Sequence, residues 1–151
     1  MYHIKKICSL AVAVLMLVLC IVPASAVDQA ATEETVYYED GSYAVTTLVV
    51  EPSFARASGT KTGSKTVTGY NASNVKLYSY TVRGTFSYNG SSATATAVST
   101  TSSIHMNGWV CTNTEKSKSG NSVTGTGTFK CGLATRTATA TITCSATGVL
   151  S

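Results

Sequence analysis

Residues 80–90, YTVRGTFSYNG, alternate apolar and polar side chains and end at Asn89-Gly90. A period of two is typical of a β-strand with one buried face, and Asn-Gly favours a tight hairpin turn because both residues tolerate positive φ. Folding back at this turn would place Phe86 opposite Ala93 and Gly84 opposite Ala95, so large side chains would oppose small ones. The stretch therefore predicts a β-hairpin whose aromatic row belongs to the core rather than to a ligand platform.

Similar alternating stretches lie on both sides of this hairpin. Strands are predicted over residues 41–52 and 60–70, the second as an edge strand, and the long strand is expected to begin near Val75. Turns are predicted at 71–74, Asn107-Gly108, 118–121 and 131–134. Up to Ala97 the inward-facing residues are at odd positions, whereas Ile104 and Met106 are at even ones. This switch within residues 99–103 predicts a bulge or bend there.

No stretch after residue 26 has helical spacing, and Thr, Ser and Gly are abundant. Gly125 and Gly127 leave one face of their strand bare, and Trp109 is expected to lie over them. In the final strand, Ala138, Ala140, Ile142 and Cys144 are expected to point inward. The predicted fold is all-β: a single antiparallel β-sandwich of about seven strands, immunoglobulin-like or a meander.

The first 26 residues have the pattern of a signal peptide. Lys5 and Lys6 precede a short apolar run, and Ala24-Ser25-Ala26 supplies the small residues of a cleavage site. Cleavage after Ala26 would give a secreted, extracellular protein without a membrane span; a retained anchor is the alternative. Residues 27–56 are interpreted as an acidic, partly flexible segment, or a propeptide, with one strand at 42–50. Residues 57–151 are interpreted as the β-sandwich domain.

Charge is unevenly distributed along the chain. Residues 27–51 contain six acidic residues and no basic one, whereas residues 52–151 contain nine basic residues and one acid, Glu115. A basic domain that binds polyanions such as wall polymers is one interpretation; ordinary solvation of a polar surface is favoured, because the bases are scattered. Nucleic acid is not an expected partner, since no basic cluster is present.

Residues 27–151 contain three cysteines, so at least one thiol is expected to be free. Cys111 and Cys131 flank the KSGN turn and would face each other if the loop spanned roughly residues 118–124, which predicts a disulfide between them. Cys144 is predicted to be a buried free thiol. A zinc site using the three thiols and His105 is disfavoured, because the spacings contain no CxxC and no paired His.

Residue types for catalysis are scarce. From Pro52 onward the chain has one histidine, His105, and one carboxylate, Glu115, and no phosphate-binding glycine loop. The chain is therefore predicted not to be an enzyme and to need no cofactor or metal. The favoured hypothesis is an exported binding or adhesion module at a cell envelope or glycan surface. The expected surface contacts are Tyr70, Arg83, His105, Lys116 and Lys118.

Two other functions remain open from the sequence. A bacteriocin-like or toxin-like effector would use modest positive charge and exposed aromatics at an anionic envelope. A structural protein would assemble through an edge strand. The sequence leaves the ligand and the oligomeric state undetermined.

Several stretches together resemble small exported proteins of Gram-positive, clostridia-like gut bacteria. The resemblance lies in DGSYAVTTLVVE (40–51), residues 59–94, KSGN (118–121) and TITCSATGVLS (141–151). It implies an extracellular location and this architecture, and it implies no particular activity. Relatives often carry a cysteine where this chain has Ala95, which implies that Cys144 lacks its usual partner and that Cys111 and Cys131 are a local replacement pair.

Overall fold

A computed structural model describes residues 32–53 and 56–151. The predicted signal peptide lies outside these residues. The described chain forms eight β-strands: β1 (Thr32–Tyr37), β2 (Tyr43–Val50), β3 (Gly59–Tyr70), β4 (Lys76–Tyr88), β5 (Ala93–Ile104), β6 (Val110–Ser119), β7 (Ser122–Cys131) and β8 (Ala134–Thr143).

The strands form two antiparallel sheets. Sheet A has the order β1-β2-β3-β4-β5 and sheet B the order β6-β7-β8, so each strand pairs with its neighbour in sequence. Sheet B packs over β3, β4 and β5. The all-β class and the β-sandwich are confirmed, and the connectivity is that of a meander. Strand β3 is central in sheet A, so the prediction of an edge strand at 60–70 was wrong.

Residues 32–53 contribute two strands to sheet A rather than the single strand expected. The strand expected at 42–50 corresponds to β2, which pairs with β3 along its whole length. Strand β1 was not predicted, and it pairs with β2 through a turn at residues 38–42. Ala44 and Leu48 of β2 are buried in the core, which ties this acidic part of the chain to the sandwich.

The central hairpin forms with a longer loop than the expected two-residue turn. Tyr88 pairs with Ala93, and the side chain of Asn89 accepts hydrogen bonds from the backbone N–H groups of Ser91 and Ser92 at 3.0 and 2.8 Å. Phe86 therefore lies opposite Ala95, not Ala93. The expected switch between odd and even inward-facing positions occurs in β5, but the bulge that causes it is at residue 96 rather than within 99–103.

The core lies between sheets A and B and consists largely of the predicted aromatic face. Tyr80, Val82 and Phe86 are completely buried. The side chains of Tyr80 and Val82, rather than Trp109, lie over the bare face at Gly125 and Gly127. Trp109 instead packs against Tyr78, with ring centroids 5.3 Å apart. The inward positions predicted for the last strand are buried: Ala138, Ala140, Ile142 and Cys144.

The chain crosses from one sheet to the other between β5 and β6. The turn predicted at Asn107-Gly108 lies in this connection, so it joins the two sheets instead of closing a hairpin. Three other connections lie at the same end of the sandwich, at residues 38–42, 71–75 and 132–133. We call this the crossing end. The opposite end carries residues 89–92, 120–121 and the C-terminal residues 144–151.

Candidate functional site

Three tyrosines lie side by side on the outer face of sheet A, at the crossing end. Tyr37 of β1 pairs with Tyr43 of β2, and Tyr43 pairs with Tyr70 of β3. Their backbones are directly opposite one another, so the three side chains project from the same face of three neighbouring strands. We call Tyr37, Tyr43 and Tyr70 the tyrosine row.

The rings of the tyrosine row stack on one another. Tyr43 and Tyr70 are nearly parallel, at 10° with centroids 4.9 Å apart, and Tyr37 tilts by 39° at 5.6 Å from Tyr43. Tyr43 and Tyr70 are stacked, so each partly covers a face of the other, whereas Tyr37 contacts Tyr43 in a tilted arrangement. Tyr37 ends the row and is 75% exposed. The row therefore offers one open aromatic face, at Tyr37, together with ring edges and phenol hydroxyls.

A turn built on asparagine fixes the middle of the row. The hydroxyl of Tyr43 donates a hydrogen bond to Asn74 Oδ1 at 3.1 Å. Asn74 has a positive φ of 62°, which asparagine tolerates better than most residues. The side chain of Asn71 holds this turn by accepting from the backbone N–H of Ser73 and of Val75. The stack is thus held in place before any ligand arrives, which lowers the entropy lost on binding.

Hydroxyl groups cover the remainder of the outer face of sheet A. Cross-strand pairs join Thr62 to Thr85 at 3.2 Å and Thr66 to Thr81 at 2.9 Å. Arg83 forms an ion pair with Glu51 at 2.6 Å. The face is therefore polar and hydrogen-bonding, with its exposed aromatic surface concentrated at the crossing end.

The surface contacts expected from the sequence divide between two regions. Tyr70 belongs to the tyrosine row, and His105 lies nearby on the same face, where its Nε2 is 3.0 Å from Ser79 Oγ. Arg83 lies on this face too, but six residues further along the strand ladder from the row. Tyr70 and His105 thus lie on the same face near the crossing end with β4 between them, and Arg83 lies further away.

The two lysines lie elsewhere, on β6 in sheet B. Lys118 donates a hydrogen bond to the Thr96 carbonyl at 2.7 Å, and Lys116 lines a surface depression of about 230 Å³. This depression is smaller than the roughly 300–1,000 Å³ of small-molecule sites. Lys116 and Lys118 are therefore not part of the tyrosine row's surroundings.

The three cysteines are free thiols in the structure, and the register corrects the expected direct pairing of Cys111 with Cys131. The turn between Ser119 and Ser122 is tighter than assumed, and residue 112 is bulged, so Cys111 lies opposite Phe129. Cys111 and Cys131 are then diagonal neighbours. Such pairs are about 7–8 Å apart, beyond the usual disulfide range of about 4.4–6.8 Å between Cα atoms. Cys144 is fully buried, and burial raises the pKa of its thiol.

Metal-ligand and membrane-spanning features were searched for in residues 32–53 and 56–151. Within these ranges no group of three or more His, Cys, Asp and Glu side chains is arranged to hold a metal ion. Nor do these ranges contain a helix of the length and apolarity needed to cross a bilayer.

Tyr37, Tyr43 and Asn74 were not identified from the sequence. Asp40-Gly41 lies between two stretches of strand-forming residues and favours a hairpin, so it is a signal for β1. It does not give the pairing of the tyrosines, because a two-residue turn there would place Tyr37 opposite Ala44; the five-residue loop 38–42 places it opposite Tyr43.

Comparison of the chain with protein-family models, with curated proteins and with solved structures finds no match.

Proposed function

We propose that the chain is an exported, non-catalytic module that binds a glycan, such as a cell-envelope polymer, with the tyrosine row. The observation that carries the proposal is the open ring of Tyr37, held in place by the stacked rings of Tyr43 and Tyr70. A large exposed apolar ring on a preorganised frame is typical of a recognition surface.

The chemistry of the row suits a sugar ring. A pyranose presents a face of C–H groups that packs on an aromatic ring, and its rim of hydroxyls requires hydrogen-bonding partners. Tyr37 supplies the ring, while the phenol of Tyr43 and the Asn74 amide supply polar groups beside it. These groups lie on an open sheet face, so a polymer that extends across the surface fits better than an enclosed small molecule.

The non-catalytic part of the proposal is supported by the surroundings of His105. Its hydrogen-bonding partner is Ser79, on an exposed face of sheet A. In the described chain no carboxylate makes a hydrogen bond or ion pair to this histidine. A serine–histidine pair without an orienting acid lacks the third group that nucleophilic hydrolases use.

The test is a pull-down of residues 27–151, which contain every described residue, on washed Gram-positive cells, peptidoglycan sacculi and mucin. Tyr37→Ala and Tyr43→Ala are compared with Val149→Ala, which removes an exposed apolar side chain at the opposite end of the sandwich. We expect each tyrosine variant to reduce retention at least about ten-fold, which corresponds to about 1.4 kcal/mol, and Val149→Ala to leave it unchanged.

The proposal is overturned if the wild-type protein is retained on none of these polymers. It is also overturned if Val149→Ala reduces retention as much as the tyrosine variants do, because binding would then not depend on the tyrosine row. Circular dichroism of each variant separates a loss of binding from a loss of fold.

A further inference from the structure

Exposed apolar side chains gather at one end of the sandwich. The described chain has nine large hydrophobic residues that are well exposed, and seven of them lie at or beside the crossing end: Val36, Tyr37, Val75, Ile104, Met106, Val110 and Leu133. The other two, Val49 and Val149, lie towards the opposite end. Such an asymmetric distribution marks an interaction surface, since singly scattered residues would need no explanation.

The most prominent of these residues are in turns. Leu133 is fully exposed between β7 and β8, Met106 lies in the β5–β6 connection, and Val75 ends the β3–β4 turn. Turns are normally rich in Gly, Asn, Asp, Pro and Ser, so an apolar side chain in each of three neighbouring turns is unusual. All three side chains are more exposed than Trp109, which is half-buried against the core at the same end.

Basic side chains accompany the apolar ones. Lys76 follows Val75 in the chain, and Lys130 lies opposite Val110 across β6 and β7. Neither lysine is part of either ion pair in the described chain. The acidic turn at residues 38–42 lies at this end too: Asp40 is paired with Arg136, whereas Glu39 is exposed and in neither ion pair. Three bases (Lys76, Lys130 and Arg136) thus stand against two acids, so the crossing end combines apolar tips with a small excess of positive charge.

We propose that the crossing end docks on an anionic lipid bilayer. Leu133, Met106 and Val75 enter the interfacial layer, and Lys76 and Lys130 contact lipid phosphates. Shallow insertion of apolar side chains together with basic residues is the combination that gives peripheral, reversible membrane binding. The membrane surface adjoins the tyrosine row, since Lys76 pairs with Tyr70 across β3 and β4. Membrane docking goes beyond glycan binding and can be tested apart from it, because Met106, Leu133 and Lys130 are not part of the tyrosine row.

Vesicle co-sedimentation of residues 27–151 tests the proposal. Vesicles of phosphatidylcholine alone are compared with vesicles that also contain phosphatidylglycerol. The double variant Met106→Ser with Leu133→Ser is compared with Val149→Ser, which alters an exposed valine at the opposite end. Lys76→Ala and Lys130→Ala are compared with Lys118→Ala. Trp109 is the one tryptophan of the chain, so its fluorescence reports burial at the crossing end.

We expect binding to the anionic vesicles with a blue shift of tryptophan fluorescence, a loss of at least about ten-fold in the double variant, and a loss of about five-fold for each of the two lysines. Val149→Ser and Lys118→Ala should bind like the wild type. Absence of binding to both kinds of vesicle overturns the proposal. So does self-association without lipid that the double variant abolishes, because the crossing end would then be a protein–protein interface.

Discussion

At the scale of single residues, the close contact between the two sheets depends on glycine, because a residue without a side chain leaves room for the aromatic rings opposite it. A Cβ atom on Gly127 would lie 2.7 Å from the ring of Tyr80 and 3.1 Å from that of Phe129. Both rings are completely buried, so neither has room to move aside. The glycine therefore allows sheet B to approach the aromatic face of sheet A.

Gly127→Ala should lower the free energy of unfolding by about 1–3 kcal/mol, because one methyl group overpacks the interface. Urea denaturation followed by circular dichroism measures the change. The control is Thr137→Ala, at an exposed position of β8 opposite Thr128 of β7, which should change stability by no more than about 0.5 kcal/mol. Equal effects of the two variants would show that the close approach at Gly127 does not limit packing.

The buried phenol of Tyr78 gives the protein a pH dependence at high pH. The side chain is 1% exposed, and burial raises its pKa to about 12 from an ordinary value of 10. Ionisation of the unfolded state begins at the lower pKa, so the stabilising contribution is complete below pH 10 and is lost as the pH rises towards 12.

The free energy of unfolding should therefore fall by about 1.4 kcal/mol per pH unit between pH 10 and 12 through this residue alone. Denaturation of the wild type and of Tyr78→Phe at pH 9, 10 and 11 isolates this contribution, since phenylalanine keeps the ring and removes the ionisable group. A stability difference between the two proteins that stays constant across this range would contradict the assignment.

At the scale of elements, the β1–β2 hairpin is anchored to sheet B by one arginine. Arg136 of β8 pairs with Asp40 and lies 4.7 Å above the ring of Tyr38. Hydrogen bonds from Ser42, together with Arg136, lower the pKa of Asp40. Beyond this anchor the contacts of β1 are mainly with β2, and all six of its residues are exposed.

Arg136→Ala should therefore increase local opening of the β1–β2 hairpin more than it lowers global stability. Hydrogen exchange measured by mass spectrometry should show at least about ten-fold faster exchange over residues 32–37, with β7 unchanged. Arg83→Ala removes the other arginine ion pair, to Glu51 on an exposed face, and serves as the control. If both variants leave residues 32–37 equally protected, the anchor does not restrain the hairpin.

The central hairpin shows which features of the elements follow from sequence alone. The alternation in β4 predicts its buried face, because a period of two leaves only two choices and one is aromatic. The predicted loop length was wrong: the loop spans residues 89–92, and the side chain of Asn89 accepts hydrogen bonds within it, instead of Asn89 and Gly90 forming a two-residue turn. With the predicted loop or the observed one, Phe86 lies opposite an inward-facing alanine. The prediction of the core is therefore correct although the predicted register was wrong.

At the scale of the whole molecule, sequence patterns indicate which face of a strand is buried better than they indicate which strands of the other sheet pack against it. The Gly125 and Gly127 gap was predicted, but its occupants come from the other sheet, and no local pattern indicates which strands will face each other. The tyrosine row has the same origin: three residues far apart in sequence meet because β1, β2 and β3 are in register. Their proximity is a property of the sheet as a whole.

Two surfaces at one end of the molecule should respond differently to salt. The open ring of Tyr37 and its neighbours Tyr43 and Asn74 bind through packing and neutral hydrogen bonds, whereas Lys76 and Lys130 act through charge. Raising the ionic strength from about 0.1 M to about 1 M shortens the screening length from about 10 Å to about 3 Å. Retention on glycan should therefore persist at the higher salt, while sedimentation with anionic vesicles should fall at least about ten-fold. Measured side by side on one preparation, glycan retention that falls in parallel with vesicle binding would mean that charge drives both, and the tyrosine row would then not be the glycan site.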